Sequence, residues 1–383
     1  MKILNYIHEL KDNDLMSDCL RAVVAGLQTK AEVYVATRKD DVRKMLDEHH
    51  PDIIHIHGAW DYNAYKLMLS VQKQGYAVVL SPQFELGIYS MRHEQKLRKK
   101  VETIHYQKWM VQHAEALIAV SDEEKNELLA LGWQKRIDVA QSSVLDNSVT
   151  LDTQCSLLLK IYVKVIDSRY RKLMSDSEKE AVSSLIHVGM AHDETMPLLD
   201  SERILTLRNL RPEQWRRILL FGDDEDIRGI ISAGAQKMQI EIPSIDTSKI
   251  WRYPVEKTKV KGLLPDKKLN SGSRPSEKKI NNTIDGDSEE LRQITIMLVN
   301  ARTLLRSGQM SVRHLADLYE VIKYLDYDED RLVTITKELK MRKFLRRILQ
   351  VLDDKVYLEE GFQPDGPVND RTTRKIESRI FST

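Results

Sequence analysis

Short runs that are apolar on both faces alternate with segments of helical period over the first ~148 residues. The runs at 2–7, 32–36, 53–57, 77–80, 116–120 and 137–140 read as strands. Helical periodicity fills 14–28, 38–49, 63–74, 94–113 and 123–131; in the first of these Leu20, Val23, Val24 and Leu27 share a face. Strands apolar on both sides and separated by helices predict a parallel sheet covered on both faces. The fold expected over 1–149 is therefore α/β and Rossmann-like. Ligands of such sheets bind beyond the carboxyl ends of the strands. His57, Gly58, Trp60, Ser81, Pro82, Gln83 and Ser121 all fall at that edge.

Beyond residue 150 the period changes. Helices are expected at 157–173, 177–188 and 227–238, around a single strand at 217–222, Arg-Ile-Leu-Leu-Phe-Gly. This mixed region, 150–255, reads as a degenerate α/β or helical domain. Residues 256–288 carry Gly, Pro, Ser, Asn and many Lys; within 256–279, eight Lys or Arg stand against three Asp or Glu. Such a composition buries too little apolar surface to fold alone and predicts a flexible basic linker. Three amphipathic helices follow at 289–307, 311–324 and 328–353, with Gly308 ending the first and Ser311 capping the second. Val312, Leu315, Leu318, Ile322 and Leu325 line one face, and Leu332, Ile335, Leu339, Leu345 and Leu349 the next. They make 289–360 a helical domain, with either a bundle core or a subunit interface. The tail, 361–383, is expected to fray.

Composition narrows the partners. Charged residues make up 31% and the formal net charge is +1, so no global field draws the chain to nucleic acid. Two cysteines, Cys19 and Cys155, are too few for a disulfide framework and suggest a reducing compartment. The first residues read as a strand rather than a leader, and no stretch approaches the ~18 apolar residues of a membrane span. A cytoplasmic protein with no integral membrane segment is expected, with peripheral membrane contact left open.

Three segments carry chemistry. Asp-Ile-Ile-His-Ile-His-Gly-Ala-Trp-Asp spans 52–61, Ala-Val-Val-Leu-Ser-Pro-Gln-Phe spans 77–84, and Ala-Leu-Ile-Ala-Val-Ser-Asp-Glu-Glu spans 116–124. In this order they resemble the acceptor-side domain of nucleotide-sugar-dependent glycosyltransferases of the family 4 type, within the GT-B group. The resemblance covers about the first 145 residues. It implies retaining transfer of a sugar from a nucleotide-diphosphate donor to a glycan or lipid-linked acceptor, in polysaccharide biosynthesis. The donor is a substrate, and no cofactor or metal is implied. Catalysis would rest on positioning and on neutralising the leaving diphosphate. His57, Gly58, Trp60, Asp61, Ser81 and Gln83 would line the acceptor pocket, Trp60 stacking on a sugar face and Asp61 accepting from hydroxyls.

The chain also departs from the family. Members often read Ser-Pro-His-Gly where this one has Ser81, Pro82, Gln83 and Phe84. An amide takes up no proton near neutral pH, although it still hydrogen-bonds a hydroxyl. The basic pair and paired-Glu segment expected of a donor half do not occur beyond residue 150. An alternative function is therefore a non-catalytic binding or scaffold protein, or a half-enzyme that needs a partner chain, with the carboxy-terminal helices as the protein-binding surface.

Other features take plainer readings. His55 and His57, alternating along one strand, are expected on opposite faces, which argues against a shared metal. Asp223, Asp224, Glu225 and Asp226 read as a solvated turn, and Lys96, Arg98, Lys99 and Lys100 as a solvated helix face. Ser121 and Glu124 form a capping box. His187, His192, Asp193 and Glu194 lack a clear zinc ligand set.

Overall fold

The computed structural model describes residues 1–93, 96–192, 199–253, 262–263 and 268–381. The chain divides into two compact units, Met1–Arg169 with Ile250–Tyr253, and Tyr170–Lys249 with Pro254–Thr383.

The first unit is α/β. Its elements run β1 Lys2–Ile7, α1 Leu15–Leu27, β2 Glu32–Ala36, α2 Val42–His49, β3 Ile53–His57, α3 Tyr62–Lys73 and β4 Ala77–Ser81. There follow α4 Ile88–His93, α5 Lys96–Glu102, a π-helical turn Thr103–Gln107 and α6 Lys108–His113. The unit closes with β5 Ala116–Ala119, α7 Asp122–Leu131, β6 Ile137–Val139 and α8 Leu151–Ser168. All strand pairs are parallel, in the order β2-β1-β3-β4-β5-β6. The order reverses beside β1, so the crevice past the carboxyl ends of β1 and β3 is the switch point at which such sheets bind ligands. Register sets Ile7 opposite His57, and His57 opposite Ser81.

Strand residues divide cleanly between two cores. Leu4, Tyr6, Ile54, Ile56, Val78 and Leu80 meet Leu46 of α2, Met68 of α3, Met110 of α6 and Leu128 of α7. Ile3, Ile53, Val79 and Ile118 meet Val23 and Leu27 of α1 and Leu158, Ile161, Tyr162 and Val165 of α8. Each fully buried aliphatic side chain contributes about 1.5–3 kcal/mol of transfer free energy, so α8 is integral to this unit. Polar ties reinforce it. Lys164 reaches both oxygens of Asp138 at 2.8 and 2.9 Å, and Arg169 pairs with Glu115 at 2.9 Å. Tyr253 packs into the same core and donates to Asp138.

His55 and His57 do not face opposite ways: their ring centroids lie 3.9 Å apart. The pleat has period two, so residues i and i+2 share a face. The expectation of opposite faces misapplied that period.

Every described element of the second unit is helical. They are α9 Tyr170–Leu173, α10 Asp176–Met190, α11 Ser201–Arg208, α12 Pro212–Asp224, α13 Arg228–Lys237 and α14 Arg274–Thr283. The series continues with α15 Glu289–Arg306, α16 Val312–Tyr324, α17 Glu329–Glu338, α18 Arg342–Val356 and α19 Arg371–Phe381, besides two single 3-10 turns. α10 is buried along most of its length. It crosses α13 so closely that a Cβ on Gly189 would sit 2.1 Å from the Ile230 carbonyl oxygen, and one on Gly234 would sit 2.2 Å from that of Leu185.

Several expectations are corrected here. Residues 217–222 lie inside α12, with Pro212 in its first turn, and are not a strand. The run is apolar all round because Ile218, Leu219, Leu220 and Phe221 are all buried; a short run of that kind does not distinguish buried helix from strand. Glu225 is not solvated but fully buried, accepting from Arg171 at 2.7 Å and from the Val312 amide at 2.8 Å. Of the expected linker, 274–283 is α14, and Ile280 and Ile284 are buried; 256–261 and 264–267 lie outside the described residues. The helix expected at 328–353 is two, broken where Lys340 takes a positive φ of 54°. The tail does not fray: α19 buries Ile376 and Ile380. Asp193 and Glu194 lie outside the described residues. Among the described residues no group of three or more His, Cys, Asp or Glu is arranged to hold a metal.

Candidate functional site

β1, β3 and β4 place a row of polar side chains on one face of the sheet, inside otherwise apolar strands. Asn5, fully buried, accepts at Oδ1 from His57 Nε2 at 3.0 Å. Gln83 Nε2 donates to His57 Nδ1 at 3.3 Å, so the proton of the neutral ring sits on Nε2. Behind them His55 lies between the Tyr162 hydroxyl and Ser81 Oγ, each at 2.7 Å. Burial pushes His57 down to about 3 and, with the His57 ring beside it, holds His55 well below the usual histidine range. Both rings are neutral hydrogen-bonding groups at physiological pH. The cluster leaves one group unspent: Asn5 Nδ2 is buried without a hydrogen-bond partner. A donor in that state costs about 1–3 kcal/mol unless something accepts from it.

Two loops frame this row. After β3, Gly58 takes φ of 89° and donates to the Ser81 carbonyl at 2.8 Å. The positive φ favours glycine, and a Cβ there would also crowd two side-chain ends, Glu85 Oε2 at 3.2 Å and Met16 Sδ at 3.3 Å. The Ala59 amide donates to the Glu85 carboxylate, the Trp60 indole to the Glu85 carbonyl at 2.9 Å, and the Trp60 amide to Gln107 Oε1 at 2.7 Å. Asp61 caps α3 through the Asn63 amide at 2.8 Å and accepts from the Tyr6 hydroxyl at 3.2 Å. Its Oδ2 also lies 3.1 Å from His8 Nδ1. After β4, Gln83 and Phe84 have φ of 50° and 65°, and Trp60 has 59°. Three non-glycine residues in the left-handed region, at about 1–3 kcal/mol each, mark a rim whose shape is enforced by its surroundings.

Glu124 supplies that enforcement after β4. Its carboxylate accepts from the Phe84 amide at 2.6 Å and the Val120 amide at 2.8 Å, while Ser121 Oγ accepts from Glu124 N at 3.2 Å. Only half of the expected capping box is present. The carboxylate passes over the cap residue and ties the β4 loop to β5 instead. Burial pushes its acid upward against those two hydrogen bonds.

All six expected site residues lie at this edge, in different roles. His57 and Gln83 contact each other, Gly58 bonds to Ser81, and Trp60 and Asp61 are held by residues of other segments. Ser81 spends its hydroxyl on His55. Lys99 does not belong to a solvated face: it is buried, reaching Ser90 Oγ at 2.5 Å with its Nζ 5.4 Å from the Trp60 ring centroid. The residues not expected are Asn5, Glu85, Gln107 and Glu124. Of these, Asn5 left a trace in the sequence as an amide inside the run Lys-Ile-Leu-Asn-Tyr-Ile, and Glu124 was legible as a helix cap but not as a tie to the β4 loop.

Beside the crevice, α5 and the π turn expose an apolar strip. Leu97 and Ile104 are 81% and 85% exposed, and Val101 and Tyr89 are also exposed. Leu97, Val101 and Ile104 have the spacing of one helix face. Arg98, Lys100 and Lys108 are exposed beside them. Among the described residues no helix is long and apolar enough to cross a membrane.

Residues 21–144 match the profile of Glycosyltransferase Family 4. No curated protein and no solved structure matches the chain. The matched segment runs from α1 to the loop beyond β6, taking in the His57, Trp60 and Gln83 loops and Glu124. The parallel-sheet unit that carries this crevice is accordingly a domain of the glycosyltransferase family 4 type.

Proposed function

We propose that the first unit is the acceptor-binding half of a hexosyltransferase. It binds a glycan or lipid-linked sugar at the carboxyl edge of β1, β3 and β4, and the hexose comes from a nucleotide-diphosphate donor held outside this unit. The observation that carries the reading is the row Asn5–His57–Gln83, buried at Asn5 and His57 and with one unsatisfied donor, at the switch point of a family 4 domain. Gln83 and Trp60 are partly exposed and would contact the sugar. Asp61, Gly58 and Ser81 would hold the pocket's shape. The nucleotide sugar acts as substrate, with neither cofactor nor metal in the proposal. The apolar strip with its basic neighbours supports a lipid-linked acceptor approached at a membrane surface.

A second reading, a non-catalytic binding or scaffold protein, draws on Gln83 in place of a titrating histidine and on the absence of any strand among the described residues of the second unit. The carboxy-terminal helices would then present the surface for a protein partner.

Calorimetric titration of the purified chain with UDP, GDP, their hexose conjugates and candidate acceptor glycans tests both. Acceptor binding, with no gain in affinity from a nucleoside diphosphate to its hexose conjugate, is the expected result. A hexose conjugate bound at micromolar affinity and more tightly than its bare nucleoside diphosphate would overturn the half-enzyme and place a donor site in this chain. Failure of every glycan and every hexose conjugate would leave only the scaffold.

A further inference from the structure

In the helical unit, α14 and α15 enclose a cavity of about 160 Å³. Ile280, Val299, Leu339 and Met341 form its apolar floor, and Lys279, Arg302 and Arg306 stand around it without a carboxylate. Since water occupies roughly 30 Å³ in the liquid, there is room for several waters or one tetrahedral oxyanion.

The cations are not accounted for by the fold. Arg302 and Arg306 are four apart on α15, so they share a face, where like charges are mutually destabilising. Neither pairs with a carboxylate among the described residues, although this protein pairs many of its arginines, Arg331 with Asp287 and Arg347 with Asp370 among them. Partial burial, then the Arg306 charge, pushes the Arg302 guanidinium below its ordinary value. The carboxyl end of a helix favours cations, which accounts for Arg306 alone. Lys279, from the other helix, makes one long contact of 3.5 Å to the Glu338 carbonyl. Of the hydroxyls, Thr303 is spent on the Asn270 and Val299 carbonyls and Ser271 on that of Ser273, leaving Ser276.

We infer that this cavity is an anion site for a phosphate monoester or diphosphate group, held by Lys279, Arg302, Arg306 and Ser276. Guanidinium forks match the oxygens of such a group, and a phosphate would turn the Arg302–Arg306 repulsion into two charge-assisted contacts. An open groove continues along α14 past Lys278, Asn282 and Thr283, with Glu338 as its one carboxylate. It has room for whatever the phosphate is attached to.

The test uses the full chain with inorganic phosphate and pyrophosphate as probes, by thermal shift and calorimetry. Pyrophosphate should stabilise the wild type, and the double variant Arg302→Gln/Arg306→Gln should bind it at least tenfold more weakly. In phosphate-free buffer the same variant should melt no lower than the wild type, because the repulsion is gone; this separates lost binding from lost folding. Vesicles of phosphatidylcholine with and without phosphatidic acid distinguish the source. Recruitment by phosphatidic acid that the double variant loses assigns a lipid headgroup, and soluble binding without such recruitment assigns a soluble phosphoester. Equal affinity in wild type and variant, or no response to either soluble probe or vesicle, would overturn the site.

Discussion

Acid should unfold the first unit through His57, and the size of the effect follows from its burial. The ring is 7% exposed, and its folded-state value of about 3 lies below the ordinary 6.5. Between those values the unfolded chain holds a proton that the folded chain refuses, so stability rises with pH across that window and falls as pH drops through it. Each unit of difference is worth about 1.4 kcal/mol. His57 should therefore remove roughly 3 kcal/mol between pH 7 and pH 4.5, and about 5 kcal/mol once the pH passes below 3. Those losses are large against a typical total stability of about 5–15 kcal/mol. The perturbation is His57→Gln, whose amide can still accept from Gln83 and donate to Asn5 but carries no proton to gain. Urea titrations at pH 7 and pH 4.5, pulse-labelled at one fixed pH and read by hydrogen exchange on β1 and β3 peptides, give the stability of this unit alone. Carboxylates titrate in both proteins and cancel in the comparison. The wild type should lose about 3 kcal/mol more than the variant between the two pH values. Equal losses would refute the argument, showing that His57 is not kept neutral by burial.

Further outcomes are expected elsewhere. Gly234→Ala, forced against the Leu185 carbonyl, should cost about 1–3 kcal/mol of overpacking and lower the melting temperature of the helical unit. Gly229→Ala, in the same helix with nothing within 4 Å, should be neutral or stabilising by up to ~1 kcal/mol; equal melting shifts would show that the α10–α13 crossing is loose. Gln83→Ala should weaken acceptor binding at least tenfold while shifting the urea midpoint little, and unchanged calorimetric affinity would remove Gln83 from the site. Asp61→Ala, which takes away the α3 cap, should cost about 0.5–2 kcal/mol as well as binding, and Asp61→Asn should recover most of the stability. Leu97→Gln with Ile104→Gln should abolish sedimentation with phosphatidylserine vesicles, which carry no phosphate monoester, and leave soluble acceptor binding intact; undiminished sedimentation would remove the strip from any membrane contact.

The first unit was legible in its sequence because a parallel sheet buried on both faces writes itself as apolar runs between amphipathic segments. All six strands stand within a residue of where the pattern put them. The second unit hid its nature for the same reason: a helix buried on most faces, such as α12, loses the period that distinguishes it from a strand. Burial of α14 depends on Ile280 and Ile284 alone, two residues in a lysine-rich stretch, and composition outweighed them. At the site, the loop ends were readable because Gly58 and the Ser-Pro step punctuate the strands. What sets the rim lies far off along the chain. Glu124 is 40 residues from Phe84 and Gln107 is 47 from Trp60, and no local spacing announces either bond.

The π turn at Thr103–Gln107 has a consequence for how this surface can change. A π turn holds one residue more than an α turn, and each residue of an α-helix advances the phase by about 100°. α5, with its exposed strip, and α6, with Met110 against the sheet, are thus joined through a phase offset worth a single residue. Deleting one position in the turn would rotate one helix against the other and present a different set of α5 side chains outward; Asn5, His57 and Gln83 would stay in place, and the Lys99 and Gln107 contacts to Trp60 would shift. Chain length at this turn, more than residue identity, is the variable that aims what lies beside the carboxyl edge of the sheet.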